Sequence, residues 1–271
     1  MMNLQRSYSE LSPLRWDIRC LDQNPQLRSK TFPLSAQQAS RTYPTRILRY
    51  WFIYHFLRIE RQRKAAPLSI CEIGIDAGQM LRFMGSVSET PGISPVPISS
   101  WVGVDCCVKQ EVLAGLGYTR CIEADIERSE EWLSSDYDAL IVLHVMEHLY
   151  EPEKVFATIA SRMKPNSVIV GGFPSVPHWC VKLREPGLRA NPDPGSHRCA
   201  FSPKRVRDIA RAQGLRLEFL AGAFFLRASG LFLEDYAWWL RFNLLFGALL
   251  PSWPGEIYWV MRKPALPTSG P

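Results

Sequence analysis

Residues 68–81, LSICEIGIDAGQML, join an apolar run to a helix-forming segment through a turn that contains Gly74 and Gly78. Small residues in such a turn let the backbone approach a ligand, and the helix after the turn offers unpaired N–H groups. This arrangement is typical of a nucleotide-type cofactor bound at the end of a parallel strand. A Gly-x-x-x-Gly turn is weak evidence alone, so its meaning depends on the residues at the ends of the next strands.

Strand-forming and helix-forming segments alternate along the chain. Strands are predicted over 68–73, 101–104, 119–122, 139–143, 167–171, 215–221 and 256–261. Helices are predicted over 45–64, 77–84, 108–116, 129–133, 152–163, 202–213 and 231–250. This alternation predicts an α/β fold with a Rossmann-like, doubly wound, mostly parallel seven-stranded sheet. Right-handed crossovers then place the carboxyl ends of the parallel strands at one edge, where ligands bind.

One domain is predicted over 45–263, with an N-terminal helical extension and a C-terminal helical and aromatic insertion. Residues 1–44 are polar, with scattered Pro and Ser, and are expected to form a loosely ordered extension. The domain begins with a helix within 45–66, and 173–250 are expected to supply the elements of a substrate site. Residues 264–271 form a short tail.

Composition narrows the function classes. The 271 residues carry a net charge of +6, and 46% of them are hydrophobic. No Lys/Arg block is long enough for a nucleic-acid arm, so we expect no nucleic-acid substrate. The seven cysteines lack a Cys-x-x-Cys pair, and no apolar signal segment opens the chain, which together indicate a reducing, cytoplasmic location. The sequence does not indicate an oligomeric state.

Acidic residues and a histidine follow the predicted strands. Glu72 lies in the first turn, and Asp105 ends the strand WVGVD, where a carboxylate can accept hydrogen bonds from both hydroxyls of a ribose. Asp125 follows the third strand in EADIE, where it can accept from an exocyclic amine. The segment HVMEHL, beginning at His144, follows the fourth strand.

The chain resembles the class I S-adenosylmethionine-dependent methyltransferases, in their small-molecule branch. The stretches that carry the resemblance are ICEIGIDAG, WVGVD, EADIE, YDALIVLHVMEHLYEPEKVF, RMKPNSVIVGGFP and SHRCAFSPKRVRDIARAQGL. They occur in the family's order and cover about residues 45–262.

The resemblance implies that S-adenosylmethionine is the cofactor. The implied cofactor site consists of Glu72, Gly74, Asp76, Gly78, Asp105, Asp125, Ile126 and His144. In that site the glycine turn lies against the methionine moiety of the cofactor, and Asp105 holds the ribose hydroxyls. Asp125 and Ile126 meet the adenine, and His144 lies near the sulfonium.

The chain departs from the family pattern at two places. The family turn reads Gly-x-Gly-x-Gly, whereas the middle position here is Asp76, whose side chain narrows the approach of the cofactor. Asp105 also lies further past the turn than the usual spacing of about 20 residues. A Pro/Ser-rich loop predicted over 85–100 accounts for this distance as an insertion.

Structural roles compete with these assignments. An aspartate after a strand is often a helix cap, and Glu147 and His148 are expected to be structural. His144 and His148 have the spacing of a zinc pair on a helix. No third ligand is evident and the order His-Glu-x-x-His is absent, so no metal site is expected.

The chemistry expected from the resemblance is methyl transfer to a small-molecule, glycan or lipid-linked acceptor. A hydroxyl acceptor gains from a general base, for which His144, His178 and His197 are the candidates, His144 first. The acceptor site is expected between the N-terminal helix, a Pro-rich loop over 173–200 and the segment 222–250. These regions hold the aromatic residues Trp51, Phe52, Trp179, Phe224, Phe225, Trp238 and Trp239. They can pack in a core or dimer interface, or lie at a membrane surface as a peripheral contact.

Three function classes remain open. The first is an active methyltransferase that methylates oxygen. The second is a catalytically inactive methyltransferase-like binding or scaffold protein, for which Asp76 is the argument. The third is an NAD(P)-dependent oxidoreductase on a similar sheet, against which the Gly-x-x-x-Gly spacing after Glu72 argues.

Overall fold

The protein, a computed structural model that describes residues 8–22, 34–193, 195–226 and 230–265, is built on one seven-stranded sheet. The strands are β1 Leu68–Ile73, β2 Ile98–Asp105, β3 Arg120–Glu123, β4 Ala139–Leu143, β5 Val168–Ser175, β6 Arg216–Gly222 and β7 Gly255–Arg262. Their order is β3-β2-β1-β4-β5-β7-β6. The first five strands pair in parallel, and β7 lies antiparallel between β5 and β6. The predicted Rossmann-like, mostly parallel fold is confirmed.

Helices cover both faces of the sheet. The α-helices are α1 Arg19–Asp22, α2 Ala36–Ala39, α3 Leu48–Lys64, α4 Gln79–Ser88, α5 Gln110–Leu113, α6 Pro152–Arg162, α7 His178–Ala190, α8 Pro203–Ala212 and α9 Ala237–Leu249. Short 3-10 helices form at Ser12–Arg15, Thr45–Ile47, Met146–His148 and Phe232–Asp235. Among the described helices, none combines the length and apolarity needed to cross a bilayer.

The alternation of side chains along the parallel strands divides the core into two layers. Leu68 and Ile70 of β1 pack with α3, α4 and α9 on one face. Cys71 and Ile73 of the same strand pack with α6 and α8 on the other face. Because both layers are filled, the carboxyl edge of the parallel strands is where a ligand can enter.

The N-terminal segment differs from the expected loose extension, because residues 8–22 pack on the core through Trp16, Cys20 and Leu21. Trp16 is only 6% exposed, and its ring stacks on His55 of α3 with 4.7 Å between ring centroids. Arg241 of α9 donates hydrogen bonds of 2.8 Å to the carbonyl oxygens of Pro13 and Trp16. Because these partners are distant in sequence, the polar composition of the segment gives no indication of the contacts. Residues 1–7 and 23–33 of the predicted extension and most of the predicted tail lie outside the described residues.

Three local predictions are wrong. The Pro-rich segment 173–200 contains α7, because Pro177 precedes this helix at a position where a missing N–H costs nothing. Residues 129–133 form turns, since Ser129 accepts the indole N–H of Trp132 at 2.7 Å on its carbonyl oxygen. The helix predicted over 108–116 is reduced to the four residues of α5.

Candidate active site at the carboxyl edge of the sheet

The turn after β1 has a backbone that favours glycine. Gly74 has a φ of +77° and Gly78 a φ of +72°, and Gly78 N-caps α4. A Cβ atom on Gly74 would lie 2.2 Å from Cγ2 of Val145, in the segment after β4. The N–H of Gly74 donates to the carbonyl oxygen of Val104 at 2.8 Å. The turn is therefore held between the ends of β2 and β4, with no side chain of its own at these two positions.

Asp76, the residue that replaces the middle glycine, has a φ of +42°. Its carboxylate pairs with Nζ of Lys109 and accepts from Nε2 of Gln79 at 3.1 Å. Its side chain is 57% exposed. Burial alone would raise the pKa of Asp76, but the hydrogen bonds from Lys109 and Gln79 lower it below its usual range. The carboxylate is therefore ionised, paired and turned to solvent.

Asp105 ends β2 with its carboxylate held from two sides. Oδ2 accepts the backbone N–H of Asp76 at 2.9 Å, and Oδ1 accepts that of Cys107 at 3.1 Å. An ionised carboxylate has about four lone-pair sites, so both oxygens retain acceptor capacity. The geometry fixes the orientation of this group at the edge of the sheet, beside the glycine turn.

Asp125 and Ile126 follow β3 at the same edge. Oδ1 of Asp125 accepts the N–H of Glu127 at 3.0 Å, and its carboxylate lies 3.2 Å from Nε of Arg128. Ile126 packs partly buried against the core layer of α6 and α8. Asp125 therefore organises its own turn and is half exposed, so it can still accept a further hydrogen bond.

Glu72 is buried beneath the turn, with 5% exposure. Its Oε2 accepts the indole N–H of Trp101 and the hydroxyl of Tyr118, each at 2.9 Å. Burial raises the pKa of Glu72 to about 7. Gly103 of β2 leaves the room for Tyr118, since an added Cβ would lie 3.0 Å from its ring. These two hydrogen bonds hold the Glu72 side chain in place beneath the glycine turn, so its role here is structural.

His144 follows β4 with a φ of +55°. Its Nδ1 lies 3.1 Å from Oε1 of Glu147, and its Nε2 lies 3.5 Å from Oε2 of Glu256. Burial alone would lower the pKa of His144, but Glu256 and Glu147 raise it above its usual value. Glu256 in turn accepts from Arg49 of α3 at 2.8 Å and from the hydroxyl of Tyr258 at 2.6 Å.

Glu256 and Arg49 were missed from the sequence. Glu256 reaches His144 because β7 runs antiparallel beside β5, which places its first residues at the carboxyl edge of the parallel strands. No local pattern signals this contact. Trp51 and Phe52 of the N-terminal helix, expected at the acceptor site, are instead 0% exposed and belong to the core.

A cavity of about 250 Å³ opens beside Glu147, the carboxylate that His144 contacts. It is lined by the end of β5, by α7, by the segment before α8 and by the start of β7, and includes Glu147, Ser175, Arg184 and His197. Of the three histidines considered as bases, His197 is among the residues that line the cavity. His144 does not line it but contacts the lining residue Glu147, and His178 lies with its Nδ1 3.1 Å from Oγ of Ser202 at the start of α8.

A larger cavity, of about 480 Å³, lies at the amino ends of β1 and β4, on the opposite edge of the sheet. Its charged lining is already paired, with Arg262 at 2.7 Å from Glu60 and Lys164 at 2.7 Å from Asp138. The first pair joins α3 to β7, and the second joins the segment after α6 to the residue before β4. The cavity lies away from the glycine turn, and the ion pairs in its lining form a network that we interpret as structural.

Comparisons with known proteins agree with this geometry. The sequence profile of a family described as a methyltransferase domain matches residues 38–219. A methyltransferase candidate of Haloferax volcanii, solved in complex with the Trm112 methyltransferase activator, is 15% identical with a TM-score of 0.51, covering 79% of this chain and 92% of its own. A methyltransferase candidate of Bacillus halodurans is 12% identical with a TM-score of 0.51, covering 77% of this chain and 99% of its own. No curated protein sequence matches the chain.

The family match covers about two thirds of the chain, and the two structural likenesses, at such low identity, show the same fold. The chain therefore belongs to the methyltransferase domain family, and its fold is that of the class I S-adenosylmethionine-dependent methyltransferases.

Proposed function

We propose that this protein is an active methyltransferase that binds S-adenosylmethionine at the glycine turn and methylates an oxygen of an acceptor held in the 250 Å³ cavity. One observation carries the proposal. Two backbone hydrogen bonds hold the carboxylate of Asp105 beside a turn that has no side chain at Gly74 and Gly78. The family match supports the reaction class.

The residues at the edge of the sheet fit this cofactor. Gly74 and Gly78 let the backbone approach the methionine moiety, and Asp105 retains acceptor capacity for two ribose hydroxyls. Asp125 and Ile126 are placed to meet the adenine, one as an acceptor and one by apolar contact. When bound, S-adenosylmethionine supplies a methyl group on a sulfonium that is already activated for in-line displacement.

Asp76 is compatible with cofactor binding. Its charge is paired with Lys109 and its side chain is 57% exposed. The backbone N–H of Asp76 supports the proposed site by bonding Oδ2 of Asp105. The inactive scaffold alternative rested on Asp76, and these contacts weaken its argument.

The proposed transfer requires a base that removes the proton of the acceptor hydroxyl. As the acceptor oxygen forms its bond to the methyl carbon, the carbon–sulfur bond breaks, sulfur keeps the electron pair, and the hydroxyl proton passes to a base. His144 is the first candidate because it follows β4 and contacts Glu147, a residue that lines the cavity. Glu147 and Glu256 flank its ring and would stabilise the imidazolium that forms.

An exposed group of aromatic side chains favours a lipid-linked acceptor within the broader class of small-molecule, glycan and lipid-linked substrates. We call it the aromatic surface; it comprises the exposed side chains of Phe225, Phe232, Tyr236, Trp238, Phe242 and Trp253, together with the half-buried Phe246 that packs on three of them. Trp253 directly precedes Pro254 and Gly255, which line the cavity. Tyr236, Trp238 and Trp253 carry a polar group on an aromatic ring, and the phenylalanines add apolar area; this combination suits a boundary between water and lipid. We propose that this surface brings the cavity to a membrane face.

The cofactor assignment is tested by calorimetry with S-adenosylmethionine, S-adenosylhomocysteine and NAD. We expect both sulfur nucleotides to bind and NAD not to bind. Replacement of Asp105 by alanine removes acceptors for two ribose hydroxyls, so we expect Asp105→Ala to weaken binding by about 1–3 kcal/mol, roughly 5- to 150-fold.

The control is Asp208→Ala, which removes an exposed carboxylate of α8 that pairs with Lys204. Asp105→Asn keeps one acceptor oxygen and separates loss of charge from loss of the backbone hydrogen bonds. Failure of the wild-type protein to bind either sulfur nucleotide would refute the proposed function. Equal affinities in the Asp105 and Asp208 variants would refute the role of Asp105.

A further inference from the structure

Three potential metal ligands meet beside the cavity. Glu147 and His148 belong to the 3-10 helix after β4, and His197 lies in the segment between α7 and α8. One ligand atom from each of the three lies within 4.8 Å of the others. The two histidine rings pack edge to face, with 4.9 Å between their centroids.

Glu147 is a buried carboxylate that lacks hydrogen-bond donors. Its residue is 1% exposed, and neither carboxylate oxygen has a hydrogen-bond partner among the described residues. Oε1 lies 3.1 Å from Nδ1 of His144 without the alignment of a hydrogen bond. A buried carboxylate is costly unless cations compensate it. His144 lies beside Glu147 but also faces Glu256, so a metal ion at Glu147 would add positive charge where two buried carboxylates share one imidazole.

His148 has the orientation of a metal ligand. Its Nδ1 lies 3.2 Å from the carbonyl oxygen of Ser196. Because a carbonyl oxygen only accepts, Nδ1 must carry the proton, and Nε2 then presents its lone pair. Metal-bound histidines commonly donate their second ring N–H to a backbone carbonyl in this way.

The backbone holds the two segments of the cluster together. The carbonyl oxygen of Glu147 accepts the N–H of Arg198 at 2.7 Å and that of Cys199 at 3.1 Å. His197, the neighbour of Arg198, is thereby kept next to Glu147. Zinc bonds to imidazole nitrogen and carboxylate oxygen are about 2.0–2.2 Å long, so small side-chain rotations would bring all three ligand atoms onto one ion.

We propose that Glu147, His148 and His197 bind a divalent transition-metal ion, with Zn²⁺ the ion that fits this donor set. Two imidazoles and one carboxylate form a three-ligand set that leaves a coordination position open. Since Glu147 and His197 both line the 250 Å³ cavity, the open position faces the space available to an acceptor oxygen or water. Mg²⁺ and Ca²⁺ prefer sites made of oxygen ligands, so they bind this set weakly.

The zinc pair considered from sequence, His144 with His148, does not form in this structure. His144 ends β4 and faces Glu147 and Glu256, whereas His148 faces His197. The third ligand comes from a segment 49 residues further along the chain, which the spacing within HVMEHL does not reveal.

The test is zinc binding by the full-length protein after chelator treatment and dialysis, without cofactor or acceptor. Cys106 and Cys107 are exposed thiols that can bind zinc, so all proteins carry Cys106→Ser and Cys107→Ser. Calorimetry and elemental analysis are expected to give one zinc per chain, with Mg²⁺ binding at least tenfold weaker. His148→Ala and His197→Ala are expected to lower the zinc affinity at least tenfold.

The matched control is His178→Ala, which removes a histidine that lies outside the cluster. Glu147→Gln keeps the shape of its side chain and removes its charge, and melting in chelator identifies any variant that fails to fold. Lower zinc affinity in a folded Glu147→Gln protein supports the proposal. Absence of zinc binding to the parent protein, or equal affinity in the His148, His197 and His178 variants, overturns it. Because no substrate is present, this result is independent of methyltransferase activity.

Discussion

Glu72 is a carboxyl group whose ionisation the fold opposes. It is buried under the glycine turn, where burial raises its pKa to about 7 from an ordinary value of 4.5. Between these two values the folded protein holds more protons than the unfolded chain. The contribution of this group to the free energy of unfolding is therefore fully present below pH 4.5, and it is lost as the pH rises through 7.

Replacement of Glu72 by glutamine is expected to remove this pH dependence. The amide oxygen can still accept from Trp101 and Tyr118, which both bond the same carboxylate oxygen. We expect Glu72→Gln to match the wild type in urea unfolding at pH 4.5 and to be more stable at pH 8, by up to about 3 kcal/mol. The measured quantity is the difference between variant and wild type at each pH.

Glu151→Gln serves as the control for this experiment. It makes the same change of charge at a side chain that is 66% exposed. The difference between this variant and the wild type is expected to stay nearly constant from pH 4.5 to 8. If Glu72→Gln also showed a constant difference, the raised pKa of Glu72 would be contradicted.

Local chemistry explains which site residues were predictable. Gly74 and Gly78 occupy backbone conformations with positive φ, and Asp105 ends a strand, so each leaves a signal in a few consecutive residues. The partners of Asp76 and Glu72 leave none. Lys109 and Tyr118 lie 33 and 46 residues away from them, and only the paired strands bring them into contact.

At the level of elements, helix α9 packs against β6 through a direct contact of backbones. A Cβ atom on Gly247 of α9 would lie 2.2 Å from the carbonyl carbon of Gly222 and 2.5 Å from the nitrogen of Ala223. Neither atom is part of a flexible side chain. The position of α9, which carries much of the aromatic surface, thus depends on the absence of a side chain at Gly247.

Gly247→Ala is expected to destabilise the protein by about 1–3 kcal/mol, because the added methyl group must push α9 away from β6. Gly85→Ala in α4 is the matched variant, since no atom lies within 4 Å of its added Cβ. There the helix preference for alanine is expected to stabilise by up to about 1 kcal/mol. Urea unfolding of the two variants at one pH measures the difference.

Opposite signs for these two substitutions would confirm the close approach of α9 and β6. If Gly247→Ala were as stable as Gly85→Ala, the backbones of α9 and β6 would not be in close contact at Gly247. The position of α9 would then be set by its other side chains.

Elements were predictable where a start or stop signal coincides with apolar periodicity. Helix α8 shows both, because the hydroxyl of Ser202 accepts the N–H of Arg205 at 3.2 Å and Pro203 opens the helix. Helix α7 was missed because Pro177 and Pro186 gave its segment the composition of a loop. It buries little besides Val181, so its apolar periodicity was too weak to offset the prolines.

At the scale of the molecule, the sheet topology assembles the site from distant segments. The alternation of strands and helices predicted a mostly parallel sheet with the turn, Asp105 and His144 at one edge, but not the order of its strands. The acceptor side depends on β7, which inserts between β5 and β6 in the opposite direction and brings Glu256 to His144. Since that pairing is long-range, the sequence did not indicate the contact between Glu256 and His144.

We expect the aromatic surface, which lies next to the proposed acceptor cavity, to contact an anionic membrane. Phe232 is 65% exposed and Trp238 is 58% exposed. The chain as a whole carries a net charge of +6, which attracts it to anionic lipid at low salt. An aromatic surface within a cationic protein has both features of an interfacial contact.

Sedimentation with vesicles of phosphatidylcholine and phosphatidylglycerol tests this contact. We expect the protein to bind at low salt and the double variant Phe232→Ala, Trp238→Ala to bind at least about tenfold more weakly, because each aromatic side chain contributes about 1.5–3 kcal/mol on burial. Trp179→Ala is the matched control, since Trp179 is 70% exposed on α7 and lies outside the aromatic surface. An equal loss in the Trp179 variant would place the contact elsewhere. If the wild-type protein did not sediment with these vesicles, membrane docking would be refuted, and a lipid-linked acceptor would lose its support from the aromatic surface.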